Sequence, residues 1–193
     1  MGKGLNTAGK IVTWLLAVLL LVGVAGAVFY FVAKEEGADY YVEFDGKKVL
    51  GNTEGGKLEI RSSEEYRFEV RSLTGKNVNF DVKVTSNPAN NFEFTADGKL
   101  CVWSGSDEKA NDYTSIFNVR KDESGFTLTA PQKFGIYDIL QSKYPGQAID
   151  SESLEAKDYF LLIVSVGESN VTFWFGTGVA TTGIILEPSE IVF

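Results

Sequence analysis

Acid–base chemistry in this chain has to come from carboxylates. All but two of its 26 Asp and Glu residues, Glu35 and Glu36, fall within residues 37–193, while histidine is absent and Cys101 is the single thiol. Two acids about 5–9.5 Å apart suffice for glycoside cleavage, but the sequence nominates no pair. Without imidazole, a histidine base, a cysteine–histidine nucleophile and a histidine metal ligand are all excluded. One thiol can neither close an internal disulfide nor build a cysteine zinc site. The stretch SGSDEKAND holds Asp107, Glu108, Asn111 and Asp112, oxygen donors of the kind that take Ca²⁺. It lacks alternating acids around a central glycine and reads as a hydrated acidic loop. Asn87, Asn90, Asn91 and Asp97 flank another hairpin and read the same way. No catalytic, cofactor-binding or metal-binding residue is assigned, and no cofactor is expected.

Phe173-Trp174-Phe175 is the strongest recognition signal. In a strand, the two phenylalanines face one way and Trp174 the other, so burying the former presents an indole on the opposite face. Trp174 is the candidate surface-binding residue, able to stack on a sugar ring or anchor a protein partner. The competing reading packs it under a helix or beside Trp103, the commoner fate of tryptophan. Asn170-Val-Thr172 matches a glycan acceptor. Ser106-Asp-Glu-Lys109 resembles the S-x-x-K motif of penicillin-recognising enzymes, which belongs at a helix start in a larger α/β protein; here it sits in a polar loop, a coincidence of spacing. A membrane anchor followed by a small β domain also resembles the layout of sortases and type I signal peptidases. The first need a histidine, and the second an S-x-M-x-P serine, whereas the only methionine is Met1.

Residues 11–33 carry no formal charge. As a helix they extend about 34 Å at about 1.5 Å per residue, enough to cross a hydrocarbon core of about 30 Å. Trp14 and Tyr30 fit the two interfaces, and Lys10 and Lys34 can reach water. A buried core helix would show a polar face, and none is visible. A removable signal peptide is the competing reading, with Lys3 and Lys10 leading and Ala25-Gly26-Ala27 as a cleavage pattern. Cleavage would leave VFYFVA at an aqueous terminus, which favours an uncleaved anchor. The lead is short, and a domain of about 160 residues crosses largely regardless of its charge. The expected topology is N-terminus inside and domain outside.

The remaining chain reads in twos. Val78, Phe80, Val82 and Val84 alternate with polar neighbours within residues 76–84, as do Leu58 and Ile60, Tyr66, Phe68 and Val70, and Phe92 and Phe94. Further strands are expected at 40–44, 100–103, 113–119, 126–129, 171–175, 182–186 and 190–193. Residues 159–166, YFLLIVSV, are apolar on both faces and are expected as a central strand covered on both sides. Turns are expected at Asp45-Gly46, Gly55-Gly56, Ser86-Asn87-Pro88, Asp97-Gly98 (a two-residue hairpin), Ser124-Gly125 and residues 176–178. Residues 134–143 read as one helix, with Ile136, Ile139 and Leu140 on one face and Pro145-Gly146 ending it.

Leu154-Glu-Ala-Lys-Asp-Tyr159 is similar to the corner opening the sixth strand of immunoglobulin-like domains; it spans six residues, and the chain lacks the cysteine pair and core tryptophan of true members. The expected fold is all-β: an immunoglobulin-like antiparallel β-sandwich with one short helix, preceded by a single N-terminal transmembrane helix. The expected division is a cytoplasmic lead (1–10), a transmembrane signal anchor (11–33), a linker (34–38) and an extracytoplasmic domain (39–193). The expected function is non-enzymatic binding or assembly at the cell surface. Partners are the lipid bilayer through residues 11–33 and a protein or glycan ligand. With a net charge of −8 the chain has no basic footprint for nucleic acid. Alternatives are a subunit of a surface filament or secretion apparatus, similar in layout to archaeal filament proteins except for Lys10, and a small carbohydrate-active enzyme.

Overall fold

A computed structural model describes residues 7–35, 37–88, 91–95, 97–103, 111–150, 152, 154 and 157–177. The strands expected at 182–186 and 190–193, Asn90, and the loop residues Ser106, Asp107, Glu108 and Lys109 lie outside the described residues, as does the Trp103 side chain.

The first element is a helix, α1 (Thr7–Glu35). Its apolar window Trp14–Phe31 is long enough to cross a membrane, and none of it is buried. It is therefore not a core helix. Its end is closed by the Gly37 amide donating to Lys34 C=O (3.1 Å) and the Ala38 amide to Ala33 C=O (3.0 Å), with Gly37 at φ +72°. These are the paired bonds of a Schellman cap, which reverse the chain within a few residues. Ala33 and Ala38 are both buried beneath it.

The rest of the described chain is mostly strand. A five-stranded antiparallel sheet has the order β2-β1-β4-β9-β8, comprising β1 (Tyr40–Phe44), β2 (Lys47–Leu50), β4 (Glu65–Ser72), β8 (Asn118–Asp122) and β9 (Gly125–Thr129). A four-stranded sheet has the order β3-β11-β10-β5, comprising β3 (Glu54–Lys57), β5 (Asp81–Ser86), β10 (Phe160–Val166) and β11 (Ser169–Phe175). A separate hairpin pairs β6 (Asn91–Phe94) with β7 (Leu100–Trp103). The helix α2 (Ile136–Lys143) precedes β10 and buries Ile136, Ile139 and Leu140, as its period requires.

One core unites these parts, and it is largely aromatic. Phe68 of β4 stacks on Phe44 (4.5 Å) and Phe126 (4.7 Å) in its own sheet and meets Phe173 of β11 at 5.8 Å. Phe117 touches Phe134, Phe160 and Phe175. Polar groups cross the same gap. The buried Tyr40 hydroxyl donates toward Ser169 C=O (3.0 Å) and Val164 C=O (3.1 Å). Burial pushes its phenol up to about 12, against the opposing pull of backbone bonds at Val166 and Val171.

Several expectations need correction. The pairing is not wholly antiparallel, because β3 runs parallel to β11. That strand contains Gly55-Gly56, expected as a turn, and glycine is needed there because a Cβ at Gly55 would lie 2.1 Å from the Phe173 ring. Residues 58–61 alternate in burial without belonging to a strand. After the Leu58 amide bonds to Trp174 C=O (2.8 Å) the chain leaves the sheet, so alternation there records burial and not pairing. Residues 76–80 likewise precede β5, with a single bridge from Asn77 to Arg71. Residues 113–117 form a turn, with Ile116 N–H on Tyr113 C=O and Tyr113 and Phe117 buried four apart. β10 lies centrally but is covered on one side: Phe160, Leu162 and Val164 are fully buried, whereas Leu161 and Ile163 are half-exposed. The β6–β7 connection spans residues 95–99, with Thr95 N–H on Lys99 C=O, longer than a two-residue turn. The turn expected at Ser124-Gly125 lies one residue earlier, at Glu123-Ser124, and Gly125 opens β9.

Truncating Phe68→Ala removes the ring shared by both sheets and should cost about 3–5 kcal/mol, read from denaturant midpoints of the full chain in detergent. Tyr40→Phe should cost about 0.5–1.5 kcal/mol. An unfolded phenol ionises near pH 10, whereas Tyr40 keeps its proton to about 12. The folded state therefore holds the extra proton in that window. Stability is unaffected by this group below pH 10 and falls as pH rises toward 12; Tyr40→Phe should flatten that limb of the stability curve.

Candidate functional site

The position of β11 is set by its inward residues. Val171, Phe173 and Phe175 are buried, which turns Thr172 and Trp174 to the outer face of the four-stranded sheet. Trp174 is half-exposed there. Its cross-strand neighbours are Leu161 on β10 and Lys57 on β3, so the indole lies between an aliphatic side chain and an ammonium-bearing one.

Beside it opens a groove of about 890 Å³, whose lining includes Lys57, Arg61, Asn87, Asp158, Trp174 and Thr177. Four separate parts of the chain build it. The parallel pairing of β3 and β11 brings Lys57 alongside Trp174. The segment before β10 supplies Asp158, and it can pass close because residue 176 is glycine: a Cβ there would lie 2.5 Å from Lys157 C=O and 2.9 Å from the Asp158 carboxylate. Lys57 Nζ then reaches Asp158 Oδ1 at 2.9 Å, and the Asn87 side-chain amide donates to Asp158 C=O at 3.0 Å.

Thr177 ends the described part of this wall. It is 5% exposed, and its hydroxyl has no hydrogen-bond partner among the described residues, an arrangement uncommon for a buried polar atom. No family model, curated protein or solved structure matches this chain. The chemistry of the groove therefore has to be read from its own residues. An aromatic face offers stacking, the amide offers hydrogen bonds, and the Lys57–Asp158 pair is exposed enough to exchange partners at little cost.

Other residues singled out by sequence take local roles. Asp112 Oδ1 accepts the Thr114 amide at 2.8 Å; its bonds from Thr114 hold its carboxyl below the usual range, with Lys143 and Lys83 adding to the effect. The Asn111 amide donates to the Ser86 hydroxyl. Asp97 bonds Thr95 within the hairpin loop. Asn170 is exposed at the start of β11, accepting from the Ser165 hydroxyl at 2.6 Å. Cys101 is half-buried on β7, and burial, helped by nearby carboxylates, raises its thiol. Among the described residues no three His, Cys, Asp or Glu gather as metal ligands. Trp174 was legible as an outward residue from its flanking phenylalanines. Lys57, Asp158 and Thr177 carried no comparable signal, because only the parallel pairing and the Gly176 crossing bring them together.

Gly176→Ala should destabilise the full chain by about 1–3 kcal/mol through overpacking against Lys157 and shift the tryptophan emission. Asp158→Asn breaks only an exposed ion pair and should stay within about 1 kcal/mol. Chemical denaturation followed by fluorescence separates the two.

Proposed function

We propose that this chain is a single-pass membrane protein that displays a β-sandwich of immunoglobulin-like build outside the membrane and uses the Trp174 groove to bind a glycan, without catalysing a reaction. The observation that carries the anchored part is α1: an apolar helical window with none of its residues buried, attached to a domain that has a core of its own. Bare apolar surface on that scale belongs in lipid. Its helix runs unbroken through Ala25 and Ala27, which favours an anchor over a removable leader.

Strand order supports the immunoglobulin-like reading. The sequence β1-β4-β9-β8 in one sheet and β11-β10-β5 in the other corresponds to the A-B-E-D and G-F-C arrangement of that architecture. Tyr159, at the start of β10, occupies the corner position and is fully buried. A half-exposed indole flanked by an amide and an ion pair supports glycan binding, since a sugar presents one apolar face and a rim of hydroxyls. The bare α1 also suits a filament subunit, in which copies of that helix pack on one another.

Three measurements test the proposal. The full chain should remain in the membrane pellet after alkaline carbonate washing, and added protease should digest the domain from the outer side only. On a glycan array, chain held in nanodiscs should bind, and Trp174→Ala should weaken binding roughly 30-fold, as expected when about 2 kcal/mol of a buried aromatic anchor is lost. Absence of binding, or binding indifferent to Trp174→Ala, removes the glycan reading. Concentration-dependent growth of rods after detergent removal would favour the filament.

A further inference from the structure

The junction between α1 and the domain is too close for the whole apolar segment to sit in hydrocarbon. The Schellman cap turns the chain back on the helix, and β1 begins at Tyr40, five residues after Glu35. Ala33 is fully buried. One turn earlier, the Phe29 ring meets the Tyr41 ring edge-on at 5.6 Å. Lys48 of β2 extends over both rings, its ammonium 5.1 Å from the Phe29 centroid and 4.5 Å from that of Tyr41. Its other neighbour is Glu43, at 3.9 Å. Below this collar the helix is bare, with Val28 57% exposed and Val24 54% exposed.

These contacts tie the depth of a lysine to the depth of Phe29. Were Phe29 within hydrocarbon, Lys48 and Glu43 would be drawn in with it, and ionised side chains there are strongly disfavoured. The hydrocarbon must therefore end short of Phe29. Residues 11–28 remain to cross it, about 27 Å of helix at about 1.5 Å per residue, close to the thickness required. Residues 29–34 then rise about 9 Å, the scale of a headgroup layer. Tyr30 and Lys48 stand in that layer, the residue types suited to it, with Tyr41 buried behind them.

We propose that the corner formed by Phe29 and Lys48, backed by the buried Tyr41, docks on the phospholipid headgroup layer, with the Lys48 ammonium at phosphate depth, so that the domain stands fixed on the bilayer surface. This rests on the reading of α1 as a membrane-crossing helix. The occupant is a phospholipid surface because the corner is continuous with the apolar helix and combines two aromatic rings with a cation. The same cap leaves no slack for the domain to lift away.

The test uses the full chain with Cys101→Ser in phosphatidylcholine vesicles, carrying a fluorophore on Val22→Cys or on Lys48→Cys; Lys47→Cys, on an exposed neighbour, is a second reporter should Lys48→Cys misfold. Lipids spin-labelled at the headgroup should quench most emission from position 48, which aqueous iodide should not reach. Acyl-labelled lipids should quench position 22. If position 22 is quenched while positions 48 and 47 stay open to iodide and insensitive to headgroup labels, the helix inserts but the domain does not dock, and the inference falls alone. If position 22 is itself open to iodide, the membrane-crossing reading fails and takes the inference with it.

Discussion

Phe68 sits where the two larger sheets meet, and its contacts dictate the geometry elsewhere. Stacked between Phe44 and Phe126 and touching Phe173, it fixes which face of β11 turns inward. With Phe173 and Phe175 committed to the core, period two leaves Trp174 no orientation but outward. The same ring contact explains a backbone detail more than a hundred residues away in sequence. Phe173 reaches so far toward β3 that residue 55 can carry no side chain, and the parallel pairing that places Lys57 beside Trp174 depends on that absence. A domain of this size needs no covalent cross-link when its interior is this densely aromatic.

Legibility in the sequence followed the strength of the local period. In β4, Tyr66, Phe68 and Val70 alternate with charges, and the strand lies where that pattern puts it. The α2 face of Ile136, Ile139 and Leu140 was equally plain. β10 was recognisable as central, yet Leu161 and Ile163 gave a false impression of two-sided burial; they line a sheet face that is apolar but only half-covered. β2 and β3 were invisible. KKVL has one apolar half, and EGGK has none, so the pairing of β2 is owed to its hairpin mate β1 and that of β3 to the distant β11. Residues 113–117 failed in the opposite sense: aromatic composition suggested a strand, whereas Tyr113 and Phe117 are buried at helical spacing. The groove was legible only at Trp174, since no local rule foretells a parallel contact across more than a hundred residues.

Charges on the domain mostly serve its surface. Arg67 pairs with Asp122 at 2.5 Å and also bonds the Ser124 hydroxyl; that guanidinium, with the Ser124 amide and hydroxyl, holds the Asp122 carboxyl far below its ordinary range. This fastens the β8–β9 hairpin to β4. Lys57 and Asp158 form a similar exposed pair, but at a groove, where the partners are available to something else. The difference between an ion pair that staples and one that waits lies in what surrounds it: strand backbone in the first case, an open groove with an indole in the second.

Two of the links that tie the front of the domain to its back join residues far apart. The Tyr40 hydroxyl bonds to carbonyls 124 and 129 positions later, and β3 pairs only with β11, the last strand described. Loop-closure entropy of that size is met late in folding, after the hairpins have formed. A ribosome making this chain from its amino end thus releases β1 in time to meet β2 and β4, but β3 well before its mate exists. That edge strand must stay unjoined through most of synthesis, until β11 arrives to hold it.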